Sequence, residues 1–139
     1  MSSRAVTGRM TRWRAVFVGV VLACCSESLV FLATGRVTLV GGVAGSALAG
    51  YLAGDDLAEG AWHGMLGALA WGTILIPTIV VLTLTADATL PFPFEYVLPL
   101  VDSTSEATTA LMLGVTLPNV VAGAAGSAVR WRLSPSVLP

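Results

Sequence analysis

One acidic residue stands inside an apolar run: Glu27, in C-C-S-E-S-L. Counted at 1.5 Å per residue from Ala15, it lies about 18 Å along a helix. An acid at that depth costs about 2.5–3.5 kcal/mol on insertion scales and is a functional candidate by default. The other reading is a carboxyl hydrogen-bonded within a bundle. Asn119 matches it in depth, 11 residues before Arg130 where Glu27 is 12 after Ala15. Pro118 cannot bond back to Gly114, so a carbonyl is freed close to Asn119 and Thr116; Pro77 does the same for Thr73. Glu27, Asn119 and Thr116 thus form a candidate intramembrane polar site for a cation or proton. The same residues equally suit one interhelical hydrogen bond and two kinks.

A second group is Asp55, Asp56, Glu59 and His63. Asp56 and Glu59 have capping-box spacing, carboxylates suit a helix N-terminus, and Glu59 and His63 lie four apart on one face. A metal or proton site would need a fourth ligand that is not evident, so capping is the reading and no metal or other cofactor is expected. Cys24 and Cys25 are adjacent, with no framework or metal spacing, and read as two small buried hydrophobes. No P-loop, GxSxG or HExxH occurs, and the chain is expected not to be an enzyme.

The elements that position these residues follow from composition. The chain has 139 residues, 55% hydrophobic and 11% charged, with a mean hydropathy of +0.85. Typical globular chains are about 25% charged, so lipid must solvate much of this one. A net charge of -1 leaves no basic surface for nucleic acid. All seven cations are arginine, a bias associated with GC-rich or salt-adapted sources. Four runs approach the spanning length of about 17–25 residues: Ala15–Thr34, Val37–Ala53, Trp62–Thr85 and Thr108–Val129. The expected fold is all-α, a four-helix transmembrane bundle in a multi-pass protein of the cell membrane. Residues 1–14 form a basic cytoplasmic segment, 15–133 the membrane domain and 134–139 a tail. Six arginines flank the outer ends of these runs and only Arg36 lies between them, which places both termini in the cytoplasm. Trp13 and Trp131 suit the inner interface. V-L-A-C at residues 21–24 loosely resembles a lipoprotein cleavage site, but the apolar run continues to Thr34, too long for a signal core, and retention is expected.

Residues 86–106 contain Pro91, Pro93 and Pro99, which oppose a regular helix. Phe92, Phe94 and Tyr96 suit the headgroup region.

Small residues recur every four positions in the second run, Gly41, Gly45 and Ala49 in one row and Ser46, Gly50 and Gly54 in the next. The last run repeats this with Ala122 and Gly126, then Gly123 and Ser127. Rows of this kind let helices approach closely, which drives association in lipid. A tight bundle, a homo-oligomer or a place beside another membrane protein is expected.

W-R-A-V-F-V-G (13–19), the segment from G-G-V-A-G-S-A-L-A-G-Y-L-A-G (41–54) through G-A-W-H-G (60–64) to M-L-G-A-L-A-W-G (65–72), and V-A-G-A-A-G-S-A-V-R (121–130) resemble a family of small haloarchaeal integral membrane proteins of unknown function. The resemblance implies several spans and carries no catalytic residue.

Overall fold

The computed structural model describes residues 12–86, 91, 94–100 and 102–133. They form α1 (Trp13–Thr34), α2 (Val40–Ala53), α3 (Leu57–Ala86), the one-turn α4 (Phe94–Val97) with a 3-10 turn at Leu98–Leu100, and α5 (Thr104–Leu133). The first 11 residues and the 134–139 tail lie outside the described residues.

The four-span expectation is corrected. Among the described residues three helices are long and apolar enough to cross a membrane: Trp13–Thr34, Leu57–Leu82 within α3 and Ser105–Leu133 within α5. The second has only 14 residues, about 21 Å at 1.5 Å per residue, against a hydrocarbon core of about 30 Å. Val37 to Leu39, counted into that span, form the turn leading to it. Among the described residues the fold is thus all-helical, with five helices and three candidate spans. The cytoplasmic placement of both termini is corrected with it, because it requires four crossings and the 14-residue α2 is too short for one.

Local chemistry sets the helix ends. α1 stops at Gly35, whose φ of 69° is the left-handed conformation that glycine adopts without a Cβ penalty; its N–H donates to the carbonyl of Phe31 at 2.7 Å. Asp56 Oδ1 accepts the N–H of Glu59 at 2.7 Å, and Glu59 Oε2 accepts the N–H of Asp55 at 3.0 Å. This is a capping box displaced by one residue, with the return bond reaching Asp55 in place of Asp56. Ser103 receives the N–H of Glu106 at the start of α5. Pro77 and Pro118 lie inside α3 and α5, which continue through them.

α2 is central, packed on α1, α3 and α5. It achieves this with almost no side chain. A Cβ on Gly45 would strike the carbonyl oxygen of Gly19, on Gly50 that of Gly123, and on Gly126 that of Ala47. α1 buries a single row, Ala15, Gly19, Ala23 and Glu27, plus Val16. Beyond the start of α2 the space between the long helices is filled by other groups. Phe94 is 1% exposed, with its ring on Gly114, and it clusters with Val37, Trp71, Leu75 and Ile79. The expectation that Phe94 sits among headgroups is thus corrected, since a short α2 leaves a gap that an aromatic ring fills. Phe92 lies outside the described residues, and Tyr96 is exposed. Cys25 is exposed too and Cys24 only half-buried, so the expectation of two buried cysteines is corrected.

Candidate functional site

The residues with chemical potential converge on the two ends of α2. At its N-terminus, Glu27 of α1 accepts three hydrogen bonds. Oε1 takes the N–H of Thr38; Oε2 takes the Gly41 N–H at 3.1 Å and the Thr38 hydroxyl at 3.2 Å. Thr38 Oγ1 in turn accepts the N–H of Val40 at 3.3 Å. Leu39, in the capping position, offers no side-chain oxygen, so the first turn's orphan donors are met from α1 and from Thr38. Glu27 is 8% exposed, and Gly41 makes room for it: a Cβ there would lie 2.8 Å from the Glu27 Cβ.

At the C-terminus of α2, Arg130 of α5 donates to the carbonyls of Leu52 at 3.2 Å and Gly54 at 3.5 Å. It also lies 3.5 Å from Asp55, which pairs with Arg12 at 2.7 Å. Arg12 precedes α1 and Arg130 is near the end of α5, so both ends of the described chain meet at this end of the bundle. An acid at the helix start and a guanidinium at its finish both have the sign that the helix dipole favours.

His63 is 1% exposed. Its Nε2 accepts the backbone N–H of Arg12 at 3.0 Å, and its Nδ1 lies 2.8 Å from the carbonyl of Glu59. These two partners require the tautomer with hydrogen on Nδ1. The expected Glu59–His63 pair is thus a contact to the Glu59 backbone, its carboxylate being turned to Asp55. Among the described residues no group of three or more His, Cys, Asp or Glu is placed to hold a metal.

Glu27 and Asn119 are not brought together. α2 and α5 run in parallel, with Gly50 on Gly123 and Gly54 on Ser127. Asn119 therefore falls level with Ser46, five residues or about 7.5 Å along α2 from Gly41. Asn119 is fully buried. Its Nδ2 donates to the carbonyl of Val115 at 2.5 Å, and its Oδ1 has no partner among the described residues. Ser46 donates to the carbonyl of Gly64 at 3.2 Å; Thr116 is half-buried. Of the packing residues, Gly41, Gly45, Ala49, Ser46, Gly50, Gly54, Gly123 and Ser127 are all buried at helix contacts. Sequence reasoning missed Thr38 and the Arg12–His63 bond. The signal for Thr38 was the brevity of the second run, which leaves a helix start inside the bundle in need of an acceptor.

Three long apolar helices packed around a short one define an α-helical, multi-pass membrane protein. Its family follows from the sequence as a whole: a model for a family of unknown function, DUF5518, matches residues 13–129, and the chain belongs to that family. No curated protein and no solved structure matches it.

Proposed function

We propose that the protein is a non-enzymatic membrane packing unit that self-associates or serves as a subunit of a larger membrane complex. The observation that carries this reading is the commitment of the charged and polar groups around α2 to holding helices together. Glu27 closes one end of α2 and Arg130 the other, while glycine contacts leave the helix backbones almost touching. Outside this core the long helices present apolar side chains such as Phe17, Leu32, Leu117 and Val121, a surface for lipid or for a second helical protein. The likeness of residues 13–19 and 41–64 to small haloarchaeal membrane proteins supports a haloarchaeal origin. Native mass spectrometry in mild detergent tests self-association. A defined oligomer of the 14.3 kDa chain is expected, and a monomer at every concentration would count against it.

A second reading, a small oligomeric transporter or channel for a cation or proton, draws on the unpartnered Oδ1 of Asn119. It has less support, because Glu27 is engaged by α2 and lies at a different depth. Liposome flux that Glu27→Gln and Asn119→Leu each abolish would favour it.

A further inference from the structure

The end of the bundle marked by Asp55 carries two grooves of similar size and opposite character. One, about 450 Å³, runs between the start of α1 and the end of α2 and is lined by Arg12, Trp13, Arg14, Ala15, Val18 and Leu52. The other, about 410 Å³, lies between the start of α3 and the end of α5, where Arg132 and Trp131 face Asp55 and Asp56. Of these two, the first has cations at its rim and no carboxylate in its lining.

We propose that the groove between α1 and α2 is a binding site for an anionic phospholipid. Its phosphate sits between the guanidinium groups of Arg12 and Arg14, and the start of one acyl chain lies along Ala15, Val18 and Leu52. The charge balance points to an anion. Asp55 pairs with Arg12 and also lies 3.5 Å from Arg130, while Arg14 is exposed with no ion-pair partner among the described residues, so Arg14 brings an uncompensated cation to this groove. Arginine donors match phosphate oxygens in geometry as well as in sign.

The dimensions point to a lipid. Arg12 to Val18 is six residues, about 9 Å along a helix, enough to pass from the headgroup layer into hydrocarbon, since the two headgroup layers together add about 10–15 Å to the bilayer. Trp13, 67% exposed at the rim, is the residue type that belongs at that boundary. Val18 and Leu52, each about two-fifths exposed, supply the apolar wall. The chain's own first 11 residues are the competing occupant, but they carry Arg4 and Arg9 and no acid, the wrong charge for this rim.

The test is native mass spectrometry of the full chain from mild detergent containing equal amounts of phosphatidylglycerol and phosphatidylcholine. Retention of phosphatidylglycerol over phosphatidylcholine is expected, and Arg14→Gln should lower that preference about fivefold, the factor one basic residue contributes near an anionic surface. Arg36→Gln, at the other end of α1, should leave it unchanged. Equal retention of the two lipids by the unaltered chain would overturn the proposal. So would a preference that survives Arg14→Gln but is lost on Arg132→Gln, which would place the lipid in the second groove. A preference seen only after removal of residues 1–11 would also overturn it, since the groove would then be filled by that segment in the whole chain.

Discussion

Glu27 accepts the N–H of Gly41, 14 residues further along, so a carboxyl from one helix closes the first turn of the next. The bond requires α2 to begin inside the bundle, and it requires Gly41 to have no side chain. A hydrogen bond contributes about 0.5–1.5 kcal/mol net, and a buried donor left without an acceptor costs about 1–3 kcal/mol. Glu27→Gln keeps one acceptor oxygen and is expected to lower stability by about 1–2 kcal/mol. Glu27→Ala orphans both backbone donors and is expected to cost at least about 3 kcal/mol. Unfolding in dodecyl sulfate mixed micelles measures both. Equal, small losses would show that α2 does not depend on this carboxyl.

Much of this arrangement was legible in the residues. The apolar runs locate the long helices, Asp56 and Glu59 announce the start of α3, and the four-residue spacing of small residues identifies the buried rows of α2 and α5. The misreadings have physical causes. Hydropathy counted Val37 to Leu39 into a span, because apolar residues in a turn beneath a covering ring look the same as apolar residues in a helix. Depth counted from helix ends paired Glu27 with Asn119, but that count assumes helix ends that lie level, and the register of Gly50 on Gly123 and Gly54 on Ser127 sets Asn119 about 7.5 Å along α2 from Gly41. The bond from Arg12 to His63 joins segments 51 residues apart, and no local pattern encodes it.

The glycines of α2 differ from those that merely lie in a helix. A Cβ at Gly50 would overlap the backbone of Gly123, which cannot yield without moving α5. At Gly67 the nearest group to an added Cβ is Ser46 Oγ at 3.5 Å, an ordinary contact. Gly50→Ala is therefore expected to destabilise by about 1–3 kcal/mol through overpacking. Gly67→Ala should stabilise by about 0.5–1 kcal/mol, because alanine loses less backbone entropy in a helix. Thermal unfolding in a single detergent compares them, and a similar response at both positions would remove the close approach of α2 and α5 as the cause.

His63 holds the entry to α1 through one ring nitrogen. His63→Leu fills much of the volume but leaves the Arg12 N–H without its acceptor, and a loss of about 1–3 kcal/mol is expected. His63→Gln can present a carbonyl oxygen to the same N–H and should recover part of it. Hydrogen exchange at Arg12 provides the local readout: it should quicken in the leucine variant and much less in the glutamine one. Unchanged exchange in both would mean that this bond does not hold the segment.

Phe94 has the role that a longer α2 would otherwise fill. Its ring lies on Gly114 within the cluster formed by Trp71, Leu75 and Ile79. Phe94→Ala opens a cavity there and is expected to cost about 3–5 kcal/mol. Leu100, six residues on and 82% exposed, should tolerate alanine within about 0.5 kcal/mol. Unfolding midpoints of the two variants, measured side by side, test whether the segment after α3 plugs the bundle or only lies over it.

Asn119 separates a packing role from a transport role. Its Oδ1 is buried without a partner among the described residues, which carries a desolvation cost of about 1–3 kcal/mol, and replacing such a group by an apolar one of similar shape can be neutral or stabilising. Asn119→Leu removes the unpaired oxygen, and the carbonyl of Val115 still has the ordinary i+4 backbone donor of the helix. Its stability is expected to remain within about 1 kcal/mol of the unaltered chain or to rise. Asn119→Asp places a carboxyl in the same enclosed position and should cost more than the leucine variant. A stable, correctly assembled Asn119→Leu protein indicates that the amide is dispensable for the fold. Cation flux in liposomes then decides its remaining role: flux present in the unaltered chain and lost in this folded variant would move the transport reading ahead of the packing one.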